Sequence, residues 1–303
     1  MILGYYGKNR ELESKGYKFI NHKFYPMWSA RSEDNKAVIA KDVSNNLDVF
    51  LEYLKWNVKN DIFYYRFIME YIHEYFNVVP ITTLPNFSEL NNKLQNIGNF
   101  ILENNIRLSS HPALFNVLSS DKEKVVKQTI KHLDSISIFF DLMGLPANDF
   151  YPINIHVGGA TGGKDLALDR FINGWNRLYS TTKARLVVEN DDKPSLFSVK
   201  ELMYLYNRIG IPICIDYLHH AFHDDGLSEE EAVRLAASTW KTVPVVHIVS
   251  SILNEDNTAK NPRKHSELLY GDFNDYDLKL YGMVEASLSD IALLRYRNKN
   301  LVL

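Results

Sequence analysis

Six segments of β type end in, or lead directly to, a residue that ligates divalent metals. RLSSH leads to His111, PINIHV carries His156, ARLVVEN carries Glu189, IPICID ends at Asp216, VPVVHIV carries His247 and GMVEA carries Glu285. His219 and His220 follow Asp216 closely, and His265 lies in the loop after the His247 segment. Imidazoles and carboxylates together are the donor set of Zn²⁺, Mn²⁺ and Fe²⁺, and so many of them exceed the three or four that one ion takes. Two or three ions are the natural count. One histidine at a strand end is ordinarily a hydrogen-bonded structural residue. Six successive strand ends are different, because burying that many acids and imidazoles without a cation would cost several kcal/mol each.

Such residues converge only if the elements behind them are parallel. Apolar runs at 1–6, 61–67, 105–111, 152–157, 184–190, 211–216, 243–249 and 282–286 alternate with helical periodicity at 43–60, 123–144, 164–179, 198–210 and 228–240. Ser228 with Glu231 forms a capping box, and Gly144 and Gly210 close two helices just before Pro146 and Pro212. From His111 to Glu285 the intervals are 45, 33, 27, 31 and 38 residues, each long enough for a helix and two loops. Strands joined by such crossovers form a parallel sheet covered by helices. Eight units point to a single (β/α)8 TIM barrel over residues 1–303, whose strand C-termini share one face, with a doubly wound sheet as the other arrangement. Residues 68–97 and 253–264 read as long loops, the kind that cover active sites.

Lys+Arg 34 against Asp+Glu 37 gives a net charge of -3, so a polyanion would have to be held by local cations rather than by bulk charge. The one cysteine, Cys214, lies inside an apolar strand, which excludes an internal disulfide and points to a reducing, cytoplasmic setting. No segment has the pattern of a signal peptide or a membrane span. GGATGGK at 158–164 approaches a phosphate-binding P-loop but places Asp165 where a hydroxyl should meet Mg²⁺. The remaining reading is that glycine amides and Lys164 hold a substrate phosphate. Clustered ions on a barrel suit either phosphoester hydrolysis or sugar isomerisation.

The sequence resembles the UV damage endonuclease family, relatives of the metal-dependent endonuclease IV barrels of DNA repair. The segments carrying the resemblance are LGYYGKN, YYRF, RLSSHP, NIHVGGATGGK, VVENDD, IDYLHHA, VHIVSS, His265 and MVEA, in the family's order along the chain. The resemblance implies a barrel with up to three divalent ions, usually Mn²⁺, with Zn²⁺ or Mg²⁺ as substitutes. It also implies hydrolysis of double-stranded damaged DNA immediately 5′ to a UV photoproduct, with abasic sites as further substrates, by a monomer that associates with the nucleoid. Carried over by position, the metal ligands are His111, His156, Glu189, Asp216, His219, His247, His265 and Glu285. Glu189, His156, Asp216 and Glu285 are the catalytic core of that set, with Glu189 bridging ions and His220 behind the ligands. Tyr5 and Asn9 match positions that face damaged nucleotides, although Tyr5 also reads as a rim-packing tyrosine.

Three positions depart from the family pattern. Leu114 and Phe115 stand where a Gln-Tyr pair usually wedges into the duplex, which keeps an apolar wedge but removes hydrogen bonds. Val245 replaces a lysine that can be carboxylated to bridge metals, leaving a third ion weaker, absent or differently held. Ser287 replaces a lysine beyond the last glutamate. Basic residues available for phosphates are Lys8, Arg10, Lys23, Arg31, Lys164, Lys260, Arg263 and Lys264, and Arg66 is expected inward, paired with Glu70 or an acid of the site. Alternatives to a repair endonuclease are a metal-dependent sugar isomerase and a damage-binding protein that has lost cleavage.

Overall fold

The computed structural model describes residues 1–20, 33–69 and 80–299. Among these, eight parallel strands form one sheet: β1 (Ile2–Tyr6), β2 (Tyr64–Arg66), β3 (Arg107–Ser109), β4 (Ile153–His156), β5 (Leu186–Glu189), β6 (Ile213–Asp216), β7 (Val245–Ile248) and β8 (Tyr281–Val284). Their spatial order is β3-β2-β1-β8-β7-β6-β5-β4. A parallel bridge between Ser110 and Ile153 joins the two ends, with Asn154 N–H donating to the Ser110 carbonyl at 2.9 Å and Ser110 N–H to the Pro152 carbonyl at 3.0 Å. The result is the expected (β/α)8 TIM barrel.

Helices cover the outside: α1 (Arg10–Ser14), α2 (Glu33–Lys59), α3 (Phe87–Glu103), α4 (Glu123–Leu142), α5 (Lys164–Asn176), α6 (Ser180–Arg185), α7 (Val199–Ile209), α8 (Tyr217–Phe222), α9 (Glu229–Ala237) and α10 (Ser289–Lys299). Both boundary signals behave as their chemistry requires. The Ser228 side chain accepts from Glu231 N–H while the Glu231 carboxylate accepts from Ser228 N–H, and Gly210 closes α7 at φ 68°, a conformation glycine enters without strain. No helix of the described residues is long and apolar enough to cross a membrane.

One expectation about organisation needs correction. Residues 87–97, read as loop, belong to α3, whose Leu90, Leu94, Ile97 and Ile101 are buried at helical spacing. Asn and Lys between them supply the wet face and mask the period in the sequence. Within α3, a side chain on Gly98 would put its Cβ 1.7 Å from the Met143 carbonyl oxygen, so this glycine lets α3 lie close against the end of α4. Residues 70–79, Lys23 and Arg31 lie outside the described residues.

Side chains of a strand alternate between the barrel interior and the helical shell. Tyr5, Tyr65, Val188, Ile215, Val246, Ile248 and Val284 join the large core under the helices. Tyr64, Val187, Cys214, Val245, Tyr281 and Met283 pack with Trp240 in a separate interior cluster. At the N-terminal end of the strands the interior is stoppered by Arg107, fully buried, with its guanidinium 4.8 Å from the Tyr281 ring, 4.9 Å from Phe150 and 5.4 Å from Trp240. The cavity that the strand-end histidines and acids line lies at the opposite, C-terminal end.

Candidate metal centre

The same alternation that places apolar residues below places imidazoles and acids at the mouth. Register sets His156 beside Glu189, Asp216 beside His247 and Tyr6 beside Arg66, and the remaining strand-end residues follow the stagger of the barrel. They surround a cavity of roughly 620 Å³ lined by His111, His156, Glu189, His219, His265, Glu285, Arg66 and Tyr6. Asp216 and His247 lie at its base, essentially without solvent contact.

Glu189 is the centre of this arrangement. Its Oε2 lies 3.1 Å from His111 Nε2 and 3.1 Å from His247 Nδ1, and its Oε1 lies 3.3 Å from His219 Nδ1 and 3.8 Å from His156 Nε2. The Asn154 amide, on the strand position two before His156, donates to Oε2. Burial alone would push this carboxyl up. The charges of His247 and His156 and the hydrogen bonds of His111 and His219 outweigh it and hold Glu189 well below the ordinary carboxylate range. Burial likewise disfavours a proton on His219, yet Asp216 and Glu189 raise its pKa to about 11. His111 is the exception, lowered because burial outweighs its bond to Glu189.

Donor atoms of His111, His156 and Glu189 lie within 4.8 Å of one another, as do those of Glu189, Asp216 and His247. Each trio can hold an ion, and they share Glu189, whose two oxygens allow it to serve both. Asp216 Oδ1 accepts from His219 N–H at 2.8 Å and caps α8, but Asp216 Oδ2 is buried with no hydrogen-bond partner among the described residues. Burial, followed by repulsion from Glu189 and Glu285, raises the Asp216 pKa. A buried carboxylate oxygen facing other acids, with no donor, fits a site for a cation.

Glu285 and His265 form the third corner. Glu285 Oε1 lies 2.9 Å from His247 Nδ1 and is paired with Arg66 Nη1, and its Oε2 is 3.8 Å from His265 Nδ1. Arg66 is thus inward and paired with an acid of the site, while its other expected partner, Glu70, lies outside the described residues. Val245, expected to leave a third ion less well held, is an aliphatic side chain in the tier below, packed with Cys214 and Met283. The 253–264 loop reaches the rim, where Arg263 Nε lies 3.1 Å from Asp192 Oδ2.

Four expected site residues stand elsewhere. Tyr5 is fully buried on the shell side of β1, in register with Tyr65, and its hydroxyl donates to Asn57 Oδ1 at 2.8 Å. Asn9, also fully buried, donates to the Tyr5 hydroxyl and accepts from Leu12 N–H to cap α1. Neither side chain lines the cavity, and Tyr6, one residue on, faces it instead. Lys164 Nζ is bound to Glu201 at 2.6 Å and is not among the residues that line the cavity. His220 is turned toward Asp224, Glu229 and the backbone of Leu227 and Ser228, away from the ligand cluster. Leu114 and Phe115 are 72% and 74% exposed, and Leu114 lines the cavity.

Sequence inspection overlooked Asn154, Tyr6 and Asp191, whose carboxylate is 3.1 Å from His156 Nδ1. Counting back by two from each strand-end ligand would have found the first.

Comparison with known proteins bears on what this centre serves. A family model described as UV-endonuclease UvdE matches residues 3–302. The chain belongs to the UV-endonuclease family. A UV DNA damage endonuclease of Clostridium perfringens is 31% identical over 226 residues, covering 70% of this chain and 52% of the relative, so the chain spans about half of that protein. One from Bacillus cereus is 28% identical over 274 residues, covering 84% of this chain and 80% of its own length. The crystal structure of SacUVDE superposes with a TM-score of 0.78 at 31% identity, covering 99% of both chains. A D-psicose 3-epimerase from Clostridium cellulolyticum, at 12% identity and a TM-score of 0.51 over 78% of this chain and 79% of its own, shares the barrel with the UV-endonuclease family and shows no more than that.

Proposed function

We propose that this chain is a metal-dependent DNA repair endonuclease, one barrel domain over residues 1–303, which hydrolyses the phosphodiester 5′ to a UV photoproduct in duplex DNA. The observation that carries it is a single buried carboxylate, Glu189, reached by imidazoles from four different segments of a chain that belongs to the UV-endonuclease family. His111, His156, Glu189, Asp216, His219, His247, His265 and Glu285 would hold two to three divalent ions, Mn²⁺ first among them. Such ions, when bound, supply a nucleophile at neutral pH and neutralise charge on the attacking and leaving oxygens.

The chain's own residues set the rest. Glu189 bridges the two ligand trios, and Asn154 fixes its orientation with a donor that does not titrate. Leu114 and Phe115 project from the rim as an apolar wedge that opens the stacked duplex beside the lesion. Water adds to phosphorus, the P–O3′ bond breaks and the departing oxygen takes a proton, leaving a 3′-hydroxyl and a 5′-phosphate. A monomer acting in the cytoplasm on the nucleoid gives DNA free access to the open face.

The test uses irradiated and untreated supercoiled plasmid, each with Mn²⁺ or with chelator. Nicking of irradiated plasmid alone, only with metal, and reduced by ~10³-fold in Glu189→Gln, is the expected result. Equal nicking of every sample, or none in any, overturns the reading.

A further inference from the structure

Taking the endonuclease reading above as its basis, we infer that Arg66 is the residue that grips the scissile phosphate, its guanidinium held at the cavity mouth between Tyr6 and Glu285. Three observations carry this.

The first is placement. Arg66 ends β2 in the same inward tier as the ligands and lines the cavity, beside Tyr6 in register. The second is restraint. Only 9% of the residue is exposed, its guanidinium lies 4.7 Å from the Tyr6 ring, and Nη1 donates to Glu285 Oε1. Among the described residues that bond uses one of five N–H groups, and the remaining planar fork matches the paired non-bridging oxygens of a phosphodiester. The third is charge. Among the described residues lining the cavity the other arginine or lysine is Lys193, which is exposed, the histidines are engaged with Glu189 and Glu285, and the protein's net charge of -3 supplies no general attraction for DNA. A buried guanidinium already fixed by a ring and a carboxylate needs little reordering to meet the anion.

Contact with the non-bridging oxygens would neutralise the charge that grows on them as water's oxygen bonds to phosphorus and the P–O3′ bond breaks. Arg66 is then a catalytic residue, because it touches the reacting group. If Arg66 acts only by orienting Glu285, its loss would instead disturb metal binding.

The experiment compares wild type, Arg66→Gln and Arg66→Lys in three measurements. These are single-turnover nicking of a duplex with one photoproduct, Mn²⁺ bound per chain by elemental analysis, and affinity for the nicked duplex with and without its 5′-phosphate. We expect Arg66→Gln to bind Mn²⁺ as wild type does and to nick ~10²-fold or more slowly. It should also bind both nicked duplexes equally, where wild type prefers the phosphorylated one about tenfold. Arg66→Lys keeps the cation without the fork and should fall between, which provides a folded comparison should the glutamine variant be unstable. Loss of Mn²⁺ in proportion to rate, or an undiminished preference for the 5′-phosphate in both variants, overturns the assignment. A wild type that prefers the phosphorylated product yet never nicks would remove the endonuclease reading while leaving Arg66 as a phosphate-binding group.

Discussion

Two buried arginines stand at opposite ends of the barrel interior and meet opposite surroundings. Arg107 at the floor donates to the backbone carbonyls of Val243 and Asp149 and lies against three aromatic rings. Arg66 at the mouth donates to a carboxylate, lies against one ring and borders an open cavity. Burial lowers the Arg107 guanidinium from its ordinary pKa, whereas on Arg66 the same effect is outweighed by Glu285, which raises it. A charge satisfied by neutral carbonyls and rings has no group to exchange and serves cohesion. A charge satisfied by an acid that other cations also approach can change partners, and that is what chemistry on an anion requires.

The sharpest way to break this contrast is Arg107→Ala. It would empty the aromatic cage and leave two buried carbonyls unmet, at a cost of about 3–5 kcal/mol by chemical denaturation. The nicking rate per folded molecule should stay unchanged. If a folded Arg107→Ala protein nicked at the rate of Glu189→Gln, the floor would have to be counted as part of the working site.

A second contrast sets the mouth against the helical shell. Acids raise His219, but His132, buried in α4, has its pKa lowered by burial from 6.5 to about 4. The unfolded chain takes this proton as pH falls through 6.5, while the fold refuses it until about pH 4. Stability from this residue is therefore complete above pH 6.5 and declines below it. Between pH 7 and pH 5 wild type should lose about 2 kcal/mol more than His132→Gln in denaturant titrations. Parallel slopes for the two proteins would show that His132 is not the shell's acid-sensitive group.

The smallest expected effect is local. Ser228→Ala removes the α9 cap for about 1 kcal/mol with no change in nicking. A larger loss, or any loss of rate, would mean that the shell and mouth are coupled.

How much of this was legible in the sequence depended on parity. Strand ends announced His156, Glu189, Asp216, His247 and Glu285, because an apolar run ending in an acid or imidazole has few structural uses. The choice between Tyr5 and Tyr6 required knowing which face of β1 turns inward, and two adjacent tyrosines leave that undetermined until register with Arg66 decides it. His220 shares a short helix with His219, and about 100° of helical rotation between neighbours sends it to the other side. The partner of Lys164 was not legible, because nothing in sequence reveals that Glu201, 37 positions away, lies beside it. The helix at 87–103 was obscured by its asparagine-rich face.

The seam between β3 and β4 rests on a single bridge, and His111 and His156 stand on its two banks. Whatever these two imidazoles jointly grasp also rivets the sheet's first and last edges together. Loading the centre should then tighten the whole cylinder at its weakest join, so that occupancy of the centre and mechanical cohesion depend on one fastening.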